Sequence, residues 1–441
     1  MSKLLIHSGR VVDPANDIDR ETDLLIEDGR VVELGALGQQ KNRVDTFINA
    51  AGLIVTPGLI DMHVHLREPG EEGDETVESG TAAAVAGGFT SVVCMPNTDP
   101  CIDNETTVDF VYRQAAIANA ANVFVLGAIT KSRQGEELAE MAQMVRSGAV
   151  GFTDDGCGVR SSAVMLKAFQ YAKMFDRAIL QHCEDPDLAE GGCMHAGLVS
   201  TILGLSGMPS MAEELMVQRD IILAESVDAR YHVMHISTAG AVELVRAAKR
   251  RGMPVSTEVC AHHLVLTDEE CRSFDPVYKM NPPLRPRKDV EAMLEGLVDG
   301  TIDCLVTDHA PHSESDKQLE FISAPPGVIG LESALAIFIK ALIEPGILDW
   351  PAMIAKMTVN PSRVLGLNKG TLSVGAAADV TVIDPAFRWT IDSASFRSRG
   401  RNCPFHGWQV TGKAVATVVG GQIKYSNGEL VAPGGAEIAT R

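Results

Sequence analysis

Eight apolar, β-branched runs recur through the middle of the chain: "GLIDMHVH", "FTSVVCMPN", "NVFVLGAIT", "AVGFTDD", "AILQHCED", "YHVMHIS", "PVSTEVCAHH" and "IDCLVTDHA". Between most of them lie segments rich in Ala, Leu, Glu and Met, such as "SGTAAAVAGG" and "AGAVELVRAAKRRG", with helical texture. Strands alternating with helices predict an α/β chain, and eight repeats is the number that closes a (β/α)8 TIM-like barrel of ~250 residues. A doubly wound open sheet is the competing layout, but no G-x-G-x-x-G follows the first run. The ends of the chain read differently. "LLIHSGRVVD" and "LLIEDGRVVELG" at the start, and "ADVTVIDP" and "ATVVGGQIKYSNGEL" at the finish, are short strands. Asp28-Gly29, Gly420-Gly421 and Asn427-Gly428 supply their turns. The pattern predicts a small β-sandwich domain built from both termini, residues 1–55 and 368–441, around a barrel at 56–367.

The polar residues that end the apolar runs are of one chemical kind. His63 and His65 end the first, Asp154 and Asp155 the fourth, His182 the fifth, His235 the sixth and Asp308 the eighth. In a barrel these ends converge on one face, where chemistry sits. Alternate residues of a strand point the same way, so His63 and His65 can both face the axis. Imidazoles mixed with carboxylates suit Zn²⁺ or a similar ion, and four histidines with two carboxylates suit two ions sharing a carboxylate. Taken singly each residue has a plainer reading: His182 or His235 as a core histidine, Asp308 as a helix cap, "TDDG" as a turn. Joint placement at five strand ends favours the metal. His262 and His263 end the seventh run, but neighbours on a strand face opposite ways, so both are not expected at one centre. His7, His195, His232 and His406 have no partner pattern, and Cys183 and Cys260 read as packing.

Composition narrows the choice of ligand and compartment. With 45% hydrophobic and 22% charged residues, the 441-residue chain has the balance of a globular protein. A formal net charge of -20 opposes any electrostatic grip on nucleic acid or anionic membrane. An anionic substrate must therefore meet a few local cations. Nine cysteines, an odd number without a CxxC pair, suit reduced thiols. The opening residues carry no apolar signal core, and no stretch approaches the ~20 apolar residues of a membrane span. The expected location is the cytoplasm.

"DMHVHLREPG", "MPNTDP", "GFTDDG", "QHCED", "HIST", "KMNPPLR" and "DCLVTDHAPH", in this order, resemble class I dihydroorotases of the amidohydrolase superfamily, over roughly residues 50 to 370. The resemblance implies a metal-dependent cyclic amide hydrolase. Its reaction would be the reversible closure of N-carbamoyl-L-aspartate to (S)-dihydroorotate and water in de novo pyrimidine (UMP) biosynthesis. It implies Zn²⁺, two ions per subunit, held by His63 and His65 at one site and by His182 and His235 at the other. Asp308 is implied as ligand of the first ion and as proton carrier. Many relatives bridge the ions with a carboxylated lysine; "AVGFTDDG" has none and is similar to the bacterial subset that uses aspartate, with Asp155 the match and Asp154 its rival. The implied substrate contacts are His65, Arg67, Asn97, Asn281 and His312, with the backbone of Pro326 and Gly327. Arg67 has the fork that matches a carboxylate, although Glu68 or Glu71 could claim it. A homo-oligomer, and in some members association with aspartate carbamoyltransferase, are further implications. Two rival readings stand beside this one. One is a hydantoinase or allantoinase on the same barrel; the other is a non-catalytic homologue that scaffolds aspartate carbamoyltransferase.

Overall fold

The computed structural model describes residues 2–431, so the last ten residues of the expected C-terminal β segment lie outside the described residues. All eight apolar runs are strands. In chain order they are Leu59–Val64, Phe89–Cys94, Asn122–Gly127, Gly151–Phe152, Ala178–Gln181, Tyr231–Val233, Val255–Cys260 and Cys304–Val306. Each pairs in parallel with the next, from the first to the eighth. A parallel bridge between Val64 and His309, with the His65 N–H donating to His309 O at 2.9 Å, joins last to first and closes the barrel. That closure places the end of the eighth strand beside the first histidine pair.

The strands are buried almost throughout, as expected for a sheet covered by helices. Among those helices are Val77–Gly87, Glu105–Ala118, Ser162–Lys173, Ser210–Val227, Ala239–Arg250 and Arg287–Val298. The Ala-rich helix at Val77–Gly87 starts on a reciprocal cap between Thr76 and Ser79 and stops at Gly88 in a left-handed conformation. Inside the barrel, Met62, Val93, Leu126, Leu180, Met234, Cys260 and Val306 form one apolar cluster with Leu365. It is a packed core rather than a pore.

Both termini enter a single nine-stranded sheet. Ile54–Pro57 is its seam: Val55 pairs in parallel with Val11 and antiparallel with Val382. The expected turns are present. Asp28 and Gly29, at φ of 47° and 77°, reverse the chain between Ile18–Glu27 and Arg30–Gly35, a conformation that favours Asp-Gly. Leu24, Ile26, Val31, Val380 and Val418 are among the buried residues of this sheet's own cluster. No helix among the described residues is long and apolar enough to cross a membrane.

Candidate metal and substrate site

The polar strand ends meet. His63 lies inside the first strand and His65 one residue past it; Asp155, His182, His235 and Asp308 each sit one to three residues past theirs. Arg67, His235 and Asp308 adopt positive φ of 61°, 30° and 49°. Side chains other than glycine rarely take such angles, and they persist where flanking structure over-determines them, as at functional sites.

The Asp155 carboxylate stands between the two histidine pairs. Its Oδ1 is 3.6 Å from His63 Nε2, 3.7 Å from His182 Nδ1 and 3.5 Å from His235 Nε2, and its Oδ2 is 3.6 Å from His65 Nε2. Asp308 Oδ1 lies against the first pair, 3.3 Å from His63 Nε2 and 3.0 Å from His65 Nε2. His182 Nδ1 and His235 Nε2 are 2.9 Å apart. Asp154 points elsewhere. Its Oδ1 accepts from the N–H of Ile129 and of Thr130 at 2.8 and 3.0 Å, and its Oδ2 from the Thr130 hydroxyl. Of the two rival aspartates, only Asp155 reaches the histidines.

Behind these groups a further layer fixes which imidazole nitrogen faces inward. His63 Nδ1 donates to Glu258 Oε1 at 2.6 Å, and His65 Nδ1 donates to Asn97 Oδ1 at 2.8 Å. Each bond leaves an Nε2 lone pair aimed at the centre, the arrangement of metal-ligating histidines. His63 Nε2 is buried without a hydrogen-bond partner, as is His235 Nδ1. Burial works to raise Asp155, yet bonds from His182, His235 and His63 hold it well below the carboxylate range. Asp308 is likewise held low, against burial, by His63 and His65. Burial lowers His182, but Asp155 and Glu184 lift it to about 10. A cavity that gathers ionised carboxylates and draws positive charge onto its imidazoles is one that favours a divalent cation. The triads His63–His65–Asp308 and His63–Asp155–His235 each bring their ligand atoms within 4.8 Å of one another, so the residues present fit such a group.

A pocket of about 230 Å³ opens above the cluster, lined also by Arg67, Asn97, Asn281, His312, Pro326 and Gly327. Every substrate contact expected from the sequence is on this wall. Arg67 is buried, its Nε donating to Pro311 O at 3.2 Å and its Nη1 3.4 Å from Glu71 Oε2. It thus keeps the acidic neighbour at i+4 while lining the pocket. Burial, reinforced by Arg67, brings His312 down to about 3, so it is neutral, and its Nε2 donates to Pro326 O at 2.8 Å. The Gly327 N–H donates to Lys279 O at 2.9 Å, so Pro326 and Gly327 shape the wall without a free N–H. Asn281 Oδ1 is buried and unpartnered.

Three features escape sequence reading. Glu258 is buried on the seventh strand, brought down to about 2, against burial, by His63 and His232; its Oε2 is 3.2 Å from His232 Nε2. A lone carboxylate in "VSTEVC" is the signal that could have found it, and it gives His232 the partner it lacked. The expected opposition of His262 and His263 fails because the strand ends at Cys260 and a helical turn follows. Their rings stand 4.4 Å apart and, with Cys260, form a separate buried cluster. Strand alternation does not extend past the last strand residue. Finally, Arg133 Nη1 donates to Asp155 O at 2.5 Å from a loop with no motif.

Comparison with known proteins agrees with this geometry. The family model described as Dihydro-orotase-like matches residues 52–241. A dihydroorotase of Pelotomaculum thermopropionicum is 50% identical over 96% of this chain and 98% of its own. One of Acetivibrio thermocellus is 47% identical over 95% and 98%. Among solved structures, the L-hydantoinase of Arthrobacter aurescens superposes with a TM-score of 0.88, covering 98% of both chains at 26% identity. The hydantoinase thus shares the architecture, while sequence identity is nearly twice as high to the dihydroorotases. The chain belongs to the dihydroorotase family of cyclic amide hydrolases.

Proposed function

We propose that this enzyme interconverts N-carbamoyl-L-aspartate and (S)-dihydroorotate at the barrel mouth, using two Zn²⁺ ions. His63, His65 and Asp308 would hold one, His182 and His235 the other, with Asp155 shared. The observation that carries this reading is the Asp155 carboxylate, whose oxygens lie within 3.7 Å of a nitrogen on all four histidines. When bound, such ions supply Lewis acidity, which acidifies water and draws charge from a carbonyl.

The chain's own residues do the rest. Arg67 presents its guanidinium to the substrate carboxylate, which an acidic protein must neutralise locally. Neutral His312 stands beside it, its Nε2 3.5 Å from Arg67 Nη2. Asn97 holds His65 through its oxygen and so turns its amide N–H groups toward the ring. In hydrolysis, an Asp308 oxygen takes the proton of the attacking water and passes it to the ring nitrogen as the amide C–N bond breaks. Closure runs the same transfers backwards, starting from protonated Asp308. Water is limited by burial: His63, His182 and His235 are all at most 2% exposed.

Metal-loaded protein supplied with each substrate, followed by ring absorbance, tests the reading. Turnover in both directions is expected, with hydantoin and allantoin poor substrates; the reverse preference overturns it. The domain division at 56–367 and self-association are part of the same proposal. Exposed Leu198, Ile202, Met211, Leu215 and Ile222 on neighbouring helices support self-association. Sedimentation, with and without aspartate carbamoyltransferase, measures both associations. Seven of the nine thiols are buried and all are unpaired, which supports a reducing cytoplasm.

A further inference from the structure

Residues 313–321, "SESDKQLEF", are polar and contain a helical turn, Glu314–Lys317, that lines a cavity shared with His312. Lys317 turns inward from it. Its Nζ donates to Pro325 O at 2.9 Å and to Gly327 O at 3.1 Å, the carbonyls on either side of Pro326. The same strap is held at three further points. Lys279 Nζ donates to Ile322 O at 2.7 Å, His312 Nε2 to Pro326 O at 2.8 Å, and Asn402 Nδ2 to Gly327 O at 3.0 Å. Gly327 has a φ of +128°, and a Cβ there would come within 2.8 Å of Ala310 Cβ, so the strap has little room to shift.

We propose that Lys317 is a positioning residue for substrate binding: its Nζ ties the carbonyls of Pro325 and Gly327 and so fixes the pocket wall at Pro326–Gly327. The inference rests on the reading that this wall contacts the substrate. Lys317 itself touches no reacting group.

The chemistry of the contact favours this role over that of an ion pair. The amine binds carbonyls, not a carboxylate. The charged and titratable groups that face it are Lys279 and Asp275 on one loop, His312 on another, Arg401 across a shared cavity of about 500 Å³, and Glu314 and Asp316 on its own turn. Burial, aided by the like charge of Lys279 and opposed by Asp275, brings Lys317 down to about 7. A neutral amine still has two N–H groups, one for each carbonyl. The tied lysine therefore binds its proton less tightly than a solvated lysine does, with its pKa of about 10.4. By linkage, proton release favours the tie. It is held least firmly below about pH 7 and tightens as pH climbs toward the solvated value.

The test compares metal-loaded wild type with Lys317→Met, which keeps the stem, and Lys317→Ala, which opens a space. KM for dihydroorotate is expected to rise about tenfold in both with kcat within about threefold, the signature of a misplaced binding wall. n-Propylamine should lower KM for Lys317→Ala and not for Lys317→Met. The ratio of KM in Lys317→Met to that of wild type should grow between pH 7 and 9. Backbone hydrogen exchange over residues 322–328, read without substrate, should be faster in both variants. Unchanged KM, or a rise that neither amine nor pH modulates, overturns the proposal. So does unchanged exchange, even if wild type fails to turn over dihydroorotate, a failure that would count against the site reading instead.

Discussion

The barrel mouth and the terminal sheet are both deeply buried, but burial acts on opposite materials in the two. In the sheet, Leu24, Ile26, Val11, Val55 and Val382 are shielded hydrocarbon, and buried carboxylates such as Asp23 are satisfied. Asp23 accepts from the Ser8 and Leu37 N–H groups at 2.8 and 2.6 Å, and from His7 Nδ1 at 2.8 Å. At the mouth, His63 Nε2, His235 Nδ1 and Asn281 Oδ1 are buried without partners. Unmet polar groups cost stability, so three of them at the barrel mouth mark where the molecule is arranged for a ligand rather than for its own folding. The sheet supplies stability; the mouth draws on it.

Substitutions that separate activity from stability sharpen this contrast. Asp308→Asn removes the proton carrier while keeping size, and kcat should fall by about 10³-fold or more in both directions, beyond the usual range for a general acid–base group because a ligand is lost too. Metal analysis and thermal melting on the same sample check that the barrel is intact; normal turnover would break the comparison. Arg67→Met removes a charged hydrogen-bonding fork worth about 1.5–3 kcal/mol, so KM should rise about 10- to 100-fold with metal content unchanged. Loss of the ions instead would make Arg67 structural. Glu258→Gln takes the negative charge from behind His63, and metal affinity, read by chelator competition, should weaken about 10- to 100-fold. Leu24→Ala, in the sheet, should cost about 2–5 kcal/mol of stability by denaturant titration and leave kcat/KM of the folded enzyme unchanged. A fall in kcat/KM there would mean that sheet and mouth are coupled.

Much of this was legible in the sequence because it depends on local pattern. Eight apolar runs fix eight strands, and the polar residue closing a run lands on the barrel mouth wherever the barrel closes. The turns Asp28-Gly29 and Asn427-Gly428 are legible for the same reason: a two-residue reversal is decided by the residues in it. Glu258 is not legible because its partner, His63, is 195 residues away, and only the closed barrel brings them to 2.6 Å. Lys317 stands in a run of polar residues, and nothing local marks it; its role depends on carbonyls eight and ten residues later. The pairing of His262 with His263 departs from strand alternation because the place where a strand gives way to a helical turn is a property of packing.

The order of residues alone determined which ligand types stand at which strand ends, and hence the family and the class of chemistry. Tertiary structure decided the rest: that Asp155 and not Asp154 faces the histidines, and which nitrogen each imidazole turns inward. The reason is physical. Periodicity constrains the face a side chain leaves from, whereas the rotamer and tautomer it adopts are set by partners contributed from distant strands.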